Sequence, residues 1–205
     1  MARYTGPKNR IARSFGVNIF SRARNPLLHK QNPPGQHGAR HRKKSDFGIQ
    51  LEEKQKLRAV YGMISQKQLV RSYQKAVNKA GNTPDNLIAM LECRLDNLVY
   101  RMKLAPSIFA AQQLVAHGHV LVNGKKVDIR SYQVVPGQTV SVTEASHKIP
   151  IIQKAQESNR EIPSYITEIE GKFAAQLTSL PSFDQVPFPV EINLPMICDF
   201  LAHTN

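Results

Sequence analysis

An Asn-Gly pair at 123–124 sits between two short β-branched runs, in the stretch HGHVLVNGKKVDIRSY (117–132). A two-residue hairpin turn needs positive φ at both of its residues, and Asn-Gly accepts this at least cost. The stretch therefore reads as an antiparallel hairpin. Its alternation puts Val120, Val122, Val127 and Ile129 on one face, with His119, Leu121, Lys126 and Asp128 on the other. Upstream, APSIFAAQQLVAHG supplies a helix capped by Ser107, with Ile108, Ala111, Leu114 and Val115 inward and Gly118 closing it. Downstream, Pro136-Gly137 turns the chain into a third strand, Thr139–Val142. Helices followed by a small antiparallel sheet make a compact α+β module.

The preceding fifty residues are helical in pattern. LEEKQKLRAVYG ends at Gly62, a natural C-cap. SQKQLVRSYQKAVNKAG opens on Ser65 with Gln68 three residues on, the pattern of a capping box. TPDNLIAMLECRLDNLVYRMKL opens on Thr83-Pro84 and reads as one continuous amphipathic helix. Leu91, Leu95, Leu98, Val99 and Met102 form its apolar stripe. Arg94, Asn97 and Arg101 fall together on another face. After the module, IPIIQKAQESNREIPS predicts a helix before Pro163. Residues 165–192 predict short strands and loops, and LPMICDFLAH a closing helix.

Charge separates the chain into functional parts. It has 205 residues and a net charge of +13. Residues 1–58 hold 14 Lys/Arg against 3 Asp/Glu, whereas residues 155–205 hold 2 against 7. Such a basic start leading into a folded body points to a polyanion, nucleic acid before membrane. Residues 1–48 carry many turn formers and one short helical stretch, KNRIARSFG; they read either as a disordered, solvated tail or, in view of the body that follows, as an arm that orders against RNA phosphates. No run is long and apolar enough to span a bilayer, and the N-terminus lacks an apolar signal core, so the chain reads as cytosolic.

Catalytic and metal chemistry find little purchase. Cys93 and Cys198 are too few for a disulfide framework or a four-thiolate zinc site. His37 and His41 lack further ligands nearby, so no metal and no cofactor is expected. PPGQHGARHRKKS does not fit a nucleotide-hydrolysing phosphate loop. Arg94-Leu95-Asp96 resembles the catalytic triplet of pseudouridine synthases, but lacks the preceding glycine and lies within a helix. A binding surface remains: Arg94, Asn97 and Arg101 on the helix face, and Lys125, Lys126, Arg130 and Tyr132 along the hairpin. His117 and His119 either donate to a phosphate or base or cap helix carbonyls.

The stretch RLDNLVYRMKLAPSIFAAQQLVAHGHVLVNGKKVDIRSYQVVPGQTVSV (94–142) closely resembles the S-four RNA-binding domain. That domain also occurs in pseudouridine synthases, tyrosyl-tRNA synthetases and a heat-shock ribosome-recycling protein. The flanks MARYTGPKNRIARSFG, NPPGQHGARHRKKSDFGIQLEEKQKLRAVYG and ISQKQLVRSYQKA are similar to the start of the bacterial-type small-subunit ribosomal protein four family. The resemblance implies a non-enzymatic protein that binds 16S-type rRNA at a multi-helix junction early in assembly. It implies small-subunit proteins five and three as neighbours, transient contact with messenger RNA where it enters the subunit, and influence on decoding accuracy.

Joined to the charge of the arm, the resemblance implies RNA contacts along most of the chain. In the arm these are Arg3, Tyr4, Lys8, Arg10, Arg13, Arg22 and Arg24. Around the following loop they are Gly35, Gln36, His37, Gly38, Arg40, Arg42, Lys43 and Lys44. Lys54, Arg58, Gln66 and Arg71 follow in the helices. Ser107, His117, His119 and Asn123 join the module residues already named. Family zinc cysteines near the N-terminus are missing, which implies the zinc-free type. Ile108 and Gln112 stand where many relatives carry arginine, so Ile108 is expected to extend the apolar face. The expected organisation is an arm (1–48), a helical domain (49–92) rejoined by a helix at 195–205, and an α+β domain (93–194) holding the module at 94–155. An RNA-modifying enzyme lacks room for a catalytic domain in residues 143–205. A general RNA chaperone would bind without preference for one junction.

Overall fold

The computed structural model describes residues 4–20, 25–40, 43–158, 160–169 and 173–204. They divide into two compact units. The first combines residues 1–78 with 188–205, and the second spans 79–187.

In the first unit, α1 (Lys8–Phe15) stops at Gly16, whose φ of 66° is left-handed. The Arg13 guanidinium donates to the Asn32 carbonyl from Nε at 3.0 Å and Nη2 at 2.8 Å, which ties the loop to α1. Helix α2 (Asp46–Val60) starts earlier than its apolar periodicity indicates. Ser45 Oγ accepts from Gly48 N–H at 3.2 Å, and Asp46 complements the dipole in the first turn. Helix α3 (Gln66–Val77) begins where Ser65 Oγ accepts from Gln68 N–H at 3.3 Å.

The second unit opens on two further helices. There α4 (Thr83–Glu92) and α5 (Leu95–Arg101) replace the single helix expected over this segment. Arg94 between them is extended, with φ −68° and ψ 137°. The break frees backbone groups to pair with a distant segment. Leu95 N–H donates to Tyr132 O at 2.9 Å, Asp96 N–H to Arg130 O at 3.2 Å and Val134 N–H to Cys93 O at 2.9 Å. The expected apolar stripe still points inward, because Leu91, Leu95, Leu98, Val99 and Met102 are all buried. Helix α4, grouped by the sequence with the helices before it, clusters with the residues after it.

Helix α6 (Ile108–Ala116) is capped by Ser107 Oγ, which accepts from Ala110 N–H at 3.3 Å. It packs against α5. Ile108 is buried in the apolar face as expected, and Gln112 is buried too. The sheet comprises β1 (Val120–Val122), β2 (Lys125–Lys126), β3 (Thr139–Val142), β4 (Ile166–Ile169) and β5 (Ala174–Leu177). Its order is β2-β1-β3-β5-β4, and every pairing is antiparallel. Helix α7 (Pro150–Gln156) lies between β3 and β4 in the chain and buries Ile152 and Ala155. The fold is therefore α+β, with helices and one antiparallel sheet.

The hairpin turns on Asn123 (φ 48°) and Gly124 (φ 78°), with Val122 opposite Lys125. This is the I′ geometry required by strand twist. Val120 and Val122 enter the core, but regular pairing ends at Lys126, and Ile129 is 53% exposed rather than on the core face. Backbone hydrogen bonds from residues 130–134 to the start of α5 pull the chain off the hairpin before Ile129 continues the strand.

The final helix, α8 (Leu194–Thr204), returns to the first unit and packs on α2 and α3. Asn193 Oδ1 accepts from Met196 N–H at 3.1 Å, while Asn193 N–H donates to Glu53 Oε2 at 3.2 Å. Leu194, Ile197, Phe200 and Leu201 bury with Leu57, Leu69 and Ala76 in this unit. Burial of each large apolar chain stabilises by about 1.5–3 kcal/mol.

Candidate nucleic-acid interface

The helix face expected to meet RNA is instead an internal network. Glu92 is completely buried. Its carboxylate accepts from Arg101 Nε at 3.1 Å and Nη2 at 2.9 Å, from Asn97 Nδ2 at 2.6 Å and from Tyr165 Oη at 2.9 Å. Arg101 Nη1 also donates to Pro187 O at 3.0 Å. Beside this, Arg94 forks Asp96 through Nε at 3.0 Å and Nη2 at 2.7 Å. Arg94, Asn97 and Arg101 are 4%, 2% and 9% exposed. They are thus corrected from an RNA-facing row to buried structural groups. A buried guanidinium needs a carboxylate, and these have one each. The sequence reading missed Glu92 and Tyr165. Glu92 lies nearby in the chain, whereas Tyr165 reaches it only through the fold.

Burial shapes the chemistry of this region. It pushes the Asp96 carboxyl above its ordinary range, against the opposing pull of Arg94. Burial, with Glu92 alongside, pushes the Cys93 thiol up to about 12, and raises the Tyr165 phenol by the same two causes. Burial and Asp199 push Cys198 up to about 11. Neither thiol is an activated nucleophile. Among the described residues, no three His, Cys, Asp or Glu side chains gather as a metal would require.

Exposed cations gather at the hairpin end of the module. Lys125 and Lys126 are exposed, as are Asn123 and His117. Gly118 has a φ of 73°, and a Cβ built there would stand 2.1 Å from Lys126 Cε. The glycine thus lets the lysine stem cross the end of α6. His117 and His119 follow one another there, with ring centroids 6.2 Å apart. His119 Nδ1 hydrogen-bonds Ser146 Oγ at 2.8 Å, and Ser146 Oγ meets Thr143 Oγ1 at 2.7 Å. One ring nitrogen of His119 is therefore already engaged, with the ring only partly exposed. Tyr132 is half-buried, whereas Arg130 is buried and its charge reaches Asp96. Ser107 serves the cap of α6. Gly118→Ala should lower stability by about 1–2 kcal/mol, since alanine resists this φ and displaces the Lys126 stem. Thermal unfolding measures it; an unchanged melting temperature would show that the left-handed residue is not required.

In the first unit the expected residues divide similarly. Arg10, Gly35, Gln36, His37, Arg40, Lys43 and Lys44 are exposed, while Tyr4, Lys8, Arg13 and Gly38 are partly buried. Lys44 pairs with Glu52. Lys54 is buried, its ammonium 4.4 Å from the centre of the Phe200 ring; burial first and Arg58 second lower its pKa. Arg58 donates to Ile64 O at 2.8 Å and to Gln55 Oε1 at 2.8 Å. Lys54 and Arg58 therefore hold the helical unit together instead of standing free on its surface. Gln66 is partly buried and Arg71 exposed. Arg3, Arg22, Arg24, His41 and Arg42 lie outside the described residues.

These features define a class: a basic chain whose helical first unit leads into an S4 domain. Residues 3–92 match the family model for the Ribosomal protein S4/S9 N-terminal domain, and residues 93–140 match that for the S4 domain. The chain is 64% identical over 206 residues to small ribosomal subunit protein uS4 of Protochlamydia amoebophila, covering 100% of both chains. It is 55% identical over 207 residues to the uS4 proteins of Chlamydia trachomatis serovar D and of Chlamydia caviae, covering 99% of each chain. The chain belongs to the small ribosomal subunit protein uS4 family. Membership makes it a component of the small ribosomal subunit and not an enzyme.

Proposed function

We propose that the chain binds the 16S-type RNA of the small subunit and holds a multi-helix junction in the subunit body during early assembly. The observation that carries this reading is the exposed hairpin end of the S4 domain. There Lys125 and Lys126 are exposed and form no ion pair among the described residues, beside exposed His117 and Asn123. Cations held ready in this way exchange their counterions for phosphates, and a folded RNA supplies phosphates in a fixed shape. The exposed cations of the arm, Arg10, Arg40 and Lys43 among them, extend the contact. Small-subunit proteins five and three are its neighbours in this reading, near where messenger RNA enters, and its placement there influences decoding accuracy.

The test compares the 5′ portion of small-subunit rRNA with an unrelated structured RNA of equal length across a salt series. A preference for the ribosomal RNA that persists at high salt is expected. Equal affinities that vanish together as salt rises would overturn junction binding and favour a general RNA chaperone.

A further inference from the structure

We propose that α3 carries a separate phosphate-backbone contact, formed by Lys67, Arg71 and Lys75. The three residues recur at every fourth position, so they share one side of the helix. All three are exposed. At 1.5 Å rise per residue the row spans about 12 Å, with neighbouring charges about 6 Å apart along the axis. Leu69 and Ala76 turn inward from the same helix.

Helix α3 contains no Asp or Glu, and none of the three cations forms an ion pair among the described residues. The contrast with α2 is informative. There Lys56 pairs with Glu53, Lys54 is covered by Phe200 and Arg58 is spent on Ile64 O and Gln55. Each cation of α2 has a structural use. In α3, Lys75 serves only the dipole of the last turn, Lys67 and Arg71 have no such use, and the row carries a cost. Like charges four residues apart destabilise a helix, and Lys67 also sits in the first turn, against the dipole. Carboxylates at the middle position would remove both repulsions. A polyanion removes them too, and gains binding energy in doing so. A nucleic-acid strand offers a phosphate at each nucleotide, a regular row of anions that a regular row of cations can follow without reading bases. The occupant is therefore an RNA strand gripped through its backbone. This inference rests on the reading of the chain as an RNA-binding subunit protein.

Two variants of the full-length chain test it, with the 5′ portion of small-subunit rRNA and an unrelated structured RNA as probes. In the first, Lys67→Gln, Arg71→Gln and Lys75→Gln are combined. The salt slope of log affinity should fall by about 2 to 3, and both RNAs should bind at least about tenfold more weakly at low salt. Their affinity ratio should stay the same. In the second, Arg71→Glu converts both repulsive pairs into attractive ones. The melting temperature of the free protein should hold or rise while RNA affinity falls. Affinity and slope equal to those of the unsubstituted chain would overturn the proposal and leave the row to an acidic protein surface. A melting temperature lowered by Arg71→Glu would overturn it as well, since the row would then not be repulsive. Failure of the wider reading shows separately, as an unsubstituted chain with no preference for the ribosomal RNA.

Discussion

Replacing Arg101 by alanine should destabilise the second unit by about 3–5 kcal/mol, a loss of more than about 12 °C in melting temperature for a unit of this size. The cost does not come mainly from the lost attraction. Glu92 is wholly enclosed, and the Arg101 guanidinium supplies two of the hydrogen bonds that its carboxylate accepts, beside those from Asn97 and Tyr165. A buried charge left uncompensated is among the largest single penalties a fold can carry. Arg101→Lys retains the charge but not the fork, so it should fall between alanine and the unsubstituted chain. Arg101 also donates to Pro187 O, so amide exchange at the end of the second unit should quicken in the alanine variant. Below its melting transition, the same variant should keep its salt slope for RNA, since Arg101 points inward. A loss of stability under about 1 kcal/mol would show that Glu92 finds other partners, and would sink the assignment of this network as structural.

The physical reach of each signal explains what the sequence made legible. Asn123-Gly124, the cap at Ser107, the strand at Thr139–Val142 and the cap at Ser65 all depend on residues within a few positions of one another, and each appears in the structure. The α+β class follows from these local elements. The break between α4 and α5 was invisible for the converse reason. Leu91, Leu95 and Leu98 keep a helical spacing through it, while the cause lies in hydrogen bonds to residues 130–134. Alternation alone puts Ile129 in the core, but the chain leaves the hairpin before reaching it.

The site was less legible than the fold because a charged residue looks the same in sequence whether it faces solvent or a buried partner. Arg94, Asn97 and Arg101 have the spacing of a binding face, and only Tyr165 and the packing around Glu92 show otherwise. Lys54 likewise owes its place to Phe200, far along the chain. Conversely, charge alone does not set Lys67 and Lys75 apart from the charge-dense arm. Their lack of carboxylate neighbours within α3 was readable from the sequence, but their exposure was not.

The pair Arg94–Asp96 should behave differently when both members are removed than when one is. Asp96→Ala alone leaves the Arg94 guanidinium enclosed, with the charge of Arg130 nearby, and should cost about 3–5 kcal/mol. Arg94→Ala should cost a similar amount by stranding the carboxylate. The combined variant Arg94→Met with Asp96→Leu should cost far less, and be neutral or better. The reason lies in the balance within the pair. Burial raises the pKa of Asp96 even though Arg94 forks it and the Asn97 N–H donates to it at 3.0 Å, so the desolvation outweighs the attraction. The folded state therefore holds that proton more tightly than the unfolded chain does. The stability owed to this group is present below the ordinary carboxylate range and is lost as pH rises through the folded value. The apolar pair should lack that dependence. Denaturant unfolding of the unsubstituted chain, of Arg94→Met and Asp96→Leu singly and of the two combined, at neutral pH and in mild acid, measures both effects in one cycle. If the double variant lost as much as the two single variants summed, there would be no coupling, and the pair would not be the closed unit that its geometry describes.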